Sequence, residues 1–264
     1  MQIADRAIAS LIMAAALFAN TANGQDADAL AKAAQNPLAT MTTLPLQANW
    51  NSNVGPNDRT SFNLNIQPVI PIPGEKWNVI TRTIMPVNSV PSGETDSIFG
   101  IGDTLFNVYF SPNSSGNLTW GVGPVIQIPT ATNPEALGSG KWGAGITGVV
   151  FYAKGKWTMG AVASNIWSIA GDSDRADVNF LTVQPFINYN LGGGWAIGSA
   201  PLATANWEAD SDNTWTIPLG AQISKITKIA SRPVNLLLGY YDNAEHPDGG
   251  AESSVRFQLN FLFP

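Results

Sequence analysis

The chain has 264 residues, no cysteine, 12% charged residues, nine tryptophans and a formal net charge of −6. The lack of cysteine excludes disulfide staples and thiolate chemistry. The negative balance argues against nucleic acid, whose recognition needs a basic face. A charged share about half the usual value of roughly 25% leaves a large surface with few groups to hold it in water.

The first predicted element is an export signal. Met1 to Arg6 forms a short leading region in which Asp5 offsets Arg6, and an apolar stretch runs from Ala7 to Ala19. Small residues at Ala22-Asn23-Gly24 then give a cleavage site, so residues 1–24 read as a secretory signal peptide. The competing reading is a buried N-terminal helix; the stretch is too short for a spanning anchor. Residues 25–43 carry Asp28-Ala-Leu-Ala-Lys-Ala-Ala34, which predicts a short periplasmic helix or a plug, with an unstructured leader as the alternative.

From residue 44 to the C-terminus, apolar side chains recur at every second position. Leu46, Ala48 and Trp50 alternate with Gln47, Asn49 and Asn51. Phe62, Leu64 and Ile66 alternate with Asn63, Asn65 and Gln67. Near the end, Val255, Phe257, Leu259, Phe261 and Phe263 alternate with Arg256, Gln258 and Asn260. The pattern predicts strands at 44–54, 61–71, 76–88, 101–111, 117–129, 143–153, 157–169, 178–190, 194–207, 214–224, 232–242 and 254–263. That is an all-β chain of about twelve antiparallel strands, with about ten to fourteen compatible with the pattern.

Alternation alone fits a soluble sandwich as well as a transmembrane barrel. Three features favour the barrel. The polar faces are rich in Asn, Gln, Thr and Ser and nearly free of Lys and Glu, unlike a water-facing exterior. Links alternate between tight ones, such as Ala153-Lys-Gly-Lys156 and Leu191-Gly-Gly-Gly194, and longer ones, such as 89–100, 130–142, 170–177 and 243–253. Most acids fall in the long links and most lysines near the short ones, and eight of the tryptophans lie at or near strand ends, as in a membrane girdle.

Several segments sharpen the match. They include Trp77-Asn-Val-Ile-Thr-Arg-Thr-Ile-Met-Pro86, Gly100-Ile-Gly-Asp-Thr104, Trp120-Gly-Val-Gly-Pro124, Leu137-Gly-Ser-Gly-Lys-Trp142, Gln184-Pro-Phe-Ile-Asn-Tyr189 and Phe257 to Pro264. With them the chain resembles the outer-membrane barrels named after the meta pathway of phenol degradation, also known as neuromedin-U-like or transporter barrels. The resemblance covers nearly the whole of residues 25–264. It implies a barrel in the cell outer membrane, and its label hints at aromatic or other hydrophobic solutes. The terminal strand, with Phe263 next to the last position, resembles the signal read by the barrel-assembly machinery; Pro264 departs from a terminal Phe.

The candidate functional residues are those expected to face the lumen: Arg82, Asp103, Gln184, Glu208, Arg256 and Gln258. An arginine facing lipid near mid-membrane costs roughly 2–4 kcal/mol, so Arg82 and Arg256 should point inward. Asp103, on the strand after Arg82, is the natural partner. The set reads either as a charged constriction that selects solutes or as a structural ion-pair network. The lone histidine, His246, lies in a long link beside Pro247, a poor place for a held catalytic imidazole. Asp172-Ser-Asp174 and Asp210-Ser-Asp212 read as solvated acidic loops before they read as Ca²⁺ ligands. No enzyme activity, cofactor or metal is expected. The expected function is a passive channel for small solutes, with membrane lipid, the assembly machinery and a solute as partners. The alternative is a non-transporting structural or adhesive barrel that acts through its external loops.

Overall fold

The computed structural model describes residues 24–113 and 116–264; the expected signal peptide lies almost wholly outside them. The Ala-rich stretch is a helix, α1 (Gly24–Gln35). The strands that follow are β1 (Thr42–Val54), β2 (Arg59–Ile66), β3 (Val69–Ile72), β4 (Trp77–Ser92), β5 (Asp96–Ile101), β6 (Thr104–Pro112) and β7 (Leu118–Ile128). A short helix α2 (Pro134–Leu137) precedes β8 (Lys141–Lys154), β9 (Trp157–Gly171), β10 (Asn179–Gly192), β11 (Trp195–Ser199), β12 (Ala203–Asn206), β13 (Trp215–Ile229), β14 (Arg232–Glu245) and β15 (Ser253–Phe263).

Three staves are each made of two segments in line: β2 with β3, β5 with β6, and β11 with β12. The fifteen segments therefore make a twelve-staved barrel. Each stave pairs antiparallel with its neighbour in sequence, and β1 pairs with β15 from Thr42↔Phe263 to Ser52↔Ser253 to close the sheet. The described residues form this one closed sheet, not two stacked open ones. Closure satisfies the backbone polar groups without leaving a bare edge, which hydrocarbon requires.

The two faces follow the period-two pattern. Outward residues include Ile146 at 56%, Leu219 at 61% and Ile169 at 67% exposure, an apolar exterior suited only to lipid. Inward residues such as Asn49, Gln67, Asn107, Thr147, Asn188, Asn235, Arg256 and Asn260 are buried. Tryptophans mark both rims. Trp77, Trp120, Trp157 and Trp195 each open or nearly open a strand at the end holding both termini, the periplasmic end in bacterial barrels. At that rim Lys225 Nζ lies 4.9 Å from the Trp195 ring and the Arg232 guanidinium 4.7 Å from Phe263. Trp50, Trp142, Trp167, Trp207 and Trp215 lie toward the other rim, where Trp207 and Trp215 meet edge to face at 5.4 Å.

The link expected at 89–100 is mostly strand. β4 runs on to Ser92 and pairs with β5 from Val87↔Ile101 to Ser92↔Asp96, leaving a turn of Gly93-Glu94-Thr95. Pro91, Ser92 and Gly93 read as loop by composition. The hairpin is braced from β2: the Arg59 guanidinium donates to the carbonyls of Thr95 (2.9 Å) and Asp96 and to Ser97 Oγ (3.2 Å).

Candidate functional site

The lumen is the candidate site. Its periplasmic mouth is crossed by α1 and the six residues after it. Asp28 Oδ1 accepts from the Gly194 backbone N–H at 2.7 Å, so the helix hangs on the tight turn between β10 and β11. Ala27 and Ala31 pack with Met41, Ile226 and Leu262. At the far end Gln35 Oε1 accepts from Thr158 Oγ1 at 2.6 Å, and Gln35 Nε2 donates to Asn190 Oδ1 at 3.1 Å. Pro37 stops the helix, as a proline just past a C-terminus does. Leu38 then enters the barrel, 3% exposed, and clusters with Ile80, Tyr109 and Val149. Gly121 makes room for it: a Cβ there would lie 3.2 Å and 3.3 Å from the two Leu38 methyls.

Beyond this segment a cavity of about 180 Å³ remains. Its wall includes Arg82, Gln184, Arg256 and Gln258 from the sequence-based set, with Gln47, Gln67 and Phe186. Arg256 is 8% exposed. Its Nε donates to Asn49 Oδ1 at 3.0 Å, its Nη1 donates to the Ala200 carbonyl at 3.0 Å, and its plane lies 4.8 Å from the Tyr241 ring. The amides continue across the wall: Asn49 Nδ2 donates to Asn63 Oδ1 at 3.3 Å, and Asn63 Nδ2 donates to Asn88 Oδ1 at 2.7 Å. On the other side Tyr241 OH donates to Gln222 Oε1 at 2.8 Å. Gln184 Nε2 donates to the Ala200 carbonyl at 3.3 Å. Arg82 donates through Nη2 to Gln67 Oε1.

Two of the six candidates stand elsewhere. Asp103 does not reach Arg82. The β4–β6 register pairs Arg82 with Asn107, so Asp103 sits four residues further along the stave, about 13 Å toward the external rim. There its carboxylate accepts from Ser139 N and Ser139 Oγ, both at 2.7 Å, and from Ala131 N at 3.3 Å. Glu208 is exposed in the external turn after β12 ends at Asn206, so it does not line the lumen. Sequence reasoning missed Asn49, Asn63, Tyr241 and Leu38 as a set. The asparagines and Tyr241 stand on the inward phase of their strands, but nothing in the sequence shows which of them meet across neighbouring staves.

The external loops are tied by backbone-directed bonds. Arg175 Nη2 donates to the carbonyls of Gly138 (2.7 Å) and Pro134 (2.9 Å). Lys141 Nζ lies 3.3 Å from Asp177 Oδ1, the one ion pair among the described residues. His246 Nδ1 faces the Pro247 carbonyl of its own loop at 3.0 Å. Asp172 Oδ1 is occupied by the Asp174 N–H at 3.0 Å, an Asx-type turn rather than an open ligand pair.

No protein-family model and no curated protein sequence matches the chain. Among solved structures it is similar to the outer membrane channel from Pseudomonas putida F1, at 15% identity over 85% of this chain and 95% of that one, with a TM-score of 0.64. It is similar to the NanC porin at 10% identity over 84% of this chain and 99% of that one, with a TM-score of 0.53. A fainter likeness, with a TM-score of 0.44 and 11% identity, is to outer membrane phospholipase A from Escherichia coli, over 84% of this chain and 96% of that one. The first two likenesses and the closed twelve-staved sheet agree: the chain has the fold of an outer-membrane β-barrel.

Proposed function

We propose that the barrel lies in the outer membrane and is a passive channel for small solutes, with the route running through the lumen past Arg82, Gln184, Arg256 and Gln258. The observation that carries this is the interior itself. The smallest structural barrels, of about eight strands, fill their lumen with side chains, whereas this twelve-staved one keeps a cavity of about 180 Å³, lined in part by amides, at the level of two arginines. The likeness to an outer membrane channel and to a porin supports the same reading. Solutes with an aromatic or apolar body fit the wall, where Phe186, Val162 and Leu237 stand beside the amides, and fit the family resemblance seen in the sequence. Residues 25–43 then act as a plug that must shift for passage. The strand β15 serves as the assembly-machinery signal, and the apolar exterior takes membrane lipid.

One observation favours the second reading, a barrel that does not transport: Leu38 and α1 close the mouth with well-packed apolar contacts. An enzymatic reading finds no support in the single histidine, held against its own loop. Single-channel recording of the purified mature chain in planar bilayers decides between them. Discrete current steps are expected; a barrel shown to be inserted and folded that passes no current under any applied voltage would overturn the channel.

A further inference from the structure

We propose that the luminal cavity is an anion subsite that takes a small organic carboxylate, with Arg82 and Arg256 as its receptors. This rests on the channel reading for the way in, but its binding chemistry can be tested separately. Both guanidiniums line one cavity, and none of the residues lining it is acidic. Arg256 is buried, yet it is held only by neutral acceptors, Asn49 and the Ala200 carbonyl, and by the face of Tyr241. Arg82 is held by the neutral Gln67. The ion-pair network that was the sequence's alternative needs a carboxylate, and its candidate, Asp103, is spent on Ser139 and Ala131 at the rim.

Arginine does not shed its proton to escape burial, and a buried cation without a counter-ion is costly. Arg256 is the buried one of the two, and with Arg82 on the same wall and no acid lining it the cavity carries a positive field. The group that completes this arrangement is an anion from outside. A planar fork favours a carboxylate, which it can hold by two parallel bonds. The volume, below the roughly 300–1,000 Å³ of pockets for drug-sized ligands, limits the solute to a small one. Phe186 and Leu237 in the same wall suit an apolar body behind the carboxylate.

The test is calorimetric titration of the folded mature chain in detergent, at low chloride, with benzoate and with its neutral isostere benzamide. Benzoate should bind at least ~10-fold more tightly, as charge-assisted bonds predict, and the preference should fall with added salt. Arg82→Gln and Arg256→Gln should each reduce the preference. Because either change can disturb folding, Gln258→Glu is the second variant: it keeps both arginines and supplies an internal counter-ion, and it too should remove the preference. Folding of each variant is checked by heat-modifiable gel mobility. Equal binding of the two ligands, no binding of either, or a preference that survives in Gln258→Glu would overturn the anion subsite. A bilayer that conducts but selects cations under a salt gradient would also overturn it and leave the channel standing. A silent bilayer with benzoate binding intact would overturn the channel and keep the subsite.

Discussion

The contacts at the two ends of this barrel rest on different physics. At the external end, loops are held by charged side chains aimed at backbone: Arg59 on the carbonyls of Gly93, Thr95 and Asp96, Arg175 on those of Pro134 and Gly138, and Asp103 on the N–H groups of Ala131 and Ser139. At the periplasmic end, a single segment is held mainly by small apolar contacts and a leucine pressed against a glycine, with one aspartate cap on Gly194 and the neutral bonds of Gln35 to Thr158 and Asn190. Bonds from charged groups are directional and contribute about 1.5–3 kcal/mol each. Apolar packing is non-directional and can be exchanged for lipid, detergent or a solute. The external end is therefore built to stay in place, whereas the periplasmic segment is no stave of the sheet and, on the channel reading, is the part that would leave.

The largest effect should come from attacking that segment. Leu38→Asp would bury a carboxylate among Ile80, Tyr109 and Val149, a placement that costs several kcal/mol unless the group leaves the pocket. The segment should swing out, and single-channel conductance should rise several-fold over the unaltered protein. Gly121→Leu attacks the same contact from the wall, since its side chain would occupy the space of the Leu38 methyls. It should raise conductance in the same direction. If both variants conduct like the parent, the segment does not control the lumen.

An intermediate effect is expected at the external end. Asp103→Ala removes three hydrogen bonds that hold residues 131–139 against the β5–β6 junction. Gly138 packs so closely there that a Cβ on it would meet Asp103 Oδ1 at 2.7 Å. The loss should be about 1–3 kcal/mol of local stability, read as faster protease nicking between residues 129 and 140. Conductance should change less than in Leu38→Asp. A larger conductance change than in Leu38→Asp would reverse the comparison between the two ends.

The difference between the ends also explains what the sequence revealed. The staves were legible because alternation is a local property: one face must meet lipid and the other the lumen, and each strand records that on its own. The inward orientation of Arg82 and Arg256 followed from the same rule. The pairing of Arg82 with Asp103 did not hold, because alternation gives the face but not the height. Register alone places Asn107 beside Arg82 and leaves Asp103 at the rim. Glu208 failed for a similar reason, since one residue more or less at a strand end separates lumen from loop. The seat of Leu38 in Gly121 was hidden more deeply. It joins a segment before the first strand to a glycine some eighty residues on, and no periodicity connects them.

The smallest effect concerns Asp177, at the edge of the external network. Hydrogen bonds from Ser168 Oγ at 3.1 Å and from Lys141 Nζ at 3.3 Å, with the charge of Lys141 added, hold its carboxyl below the ordinary 3.8. A carboxylate whose folded value is depressed adds stability that is complete above the unfolded value and is lost as the pH falls through the folded one. The link between β9 and β10 should therefore keep its tether at neutral pH and loosen below about pH 4. Asp177 is largely exposed to water, which screens the pair, so the change should be confined to the loop. Pepsin nicking within residues 172–178, followed as the pH is lowered, would show it as a rise in cutting over that range. Asp177→Asn should already be loose at the top of the range and show no step. A step that persists in the asparagine variant would mean that another carboxylate holds this loop, and the external end would then be tied by more than the bonds assigned to it here.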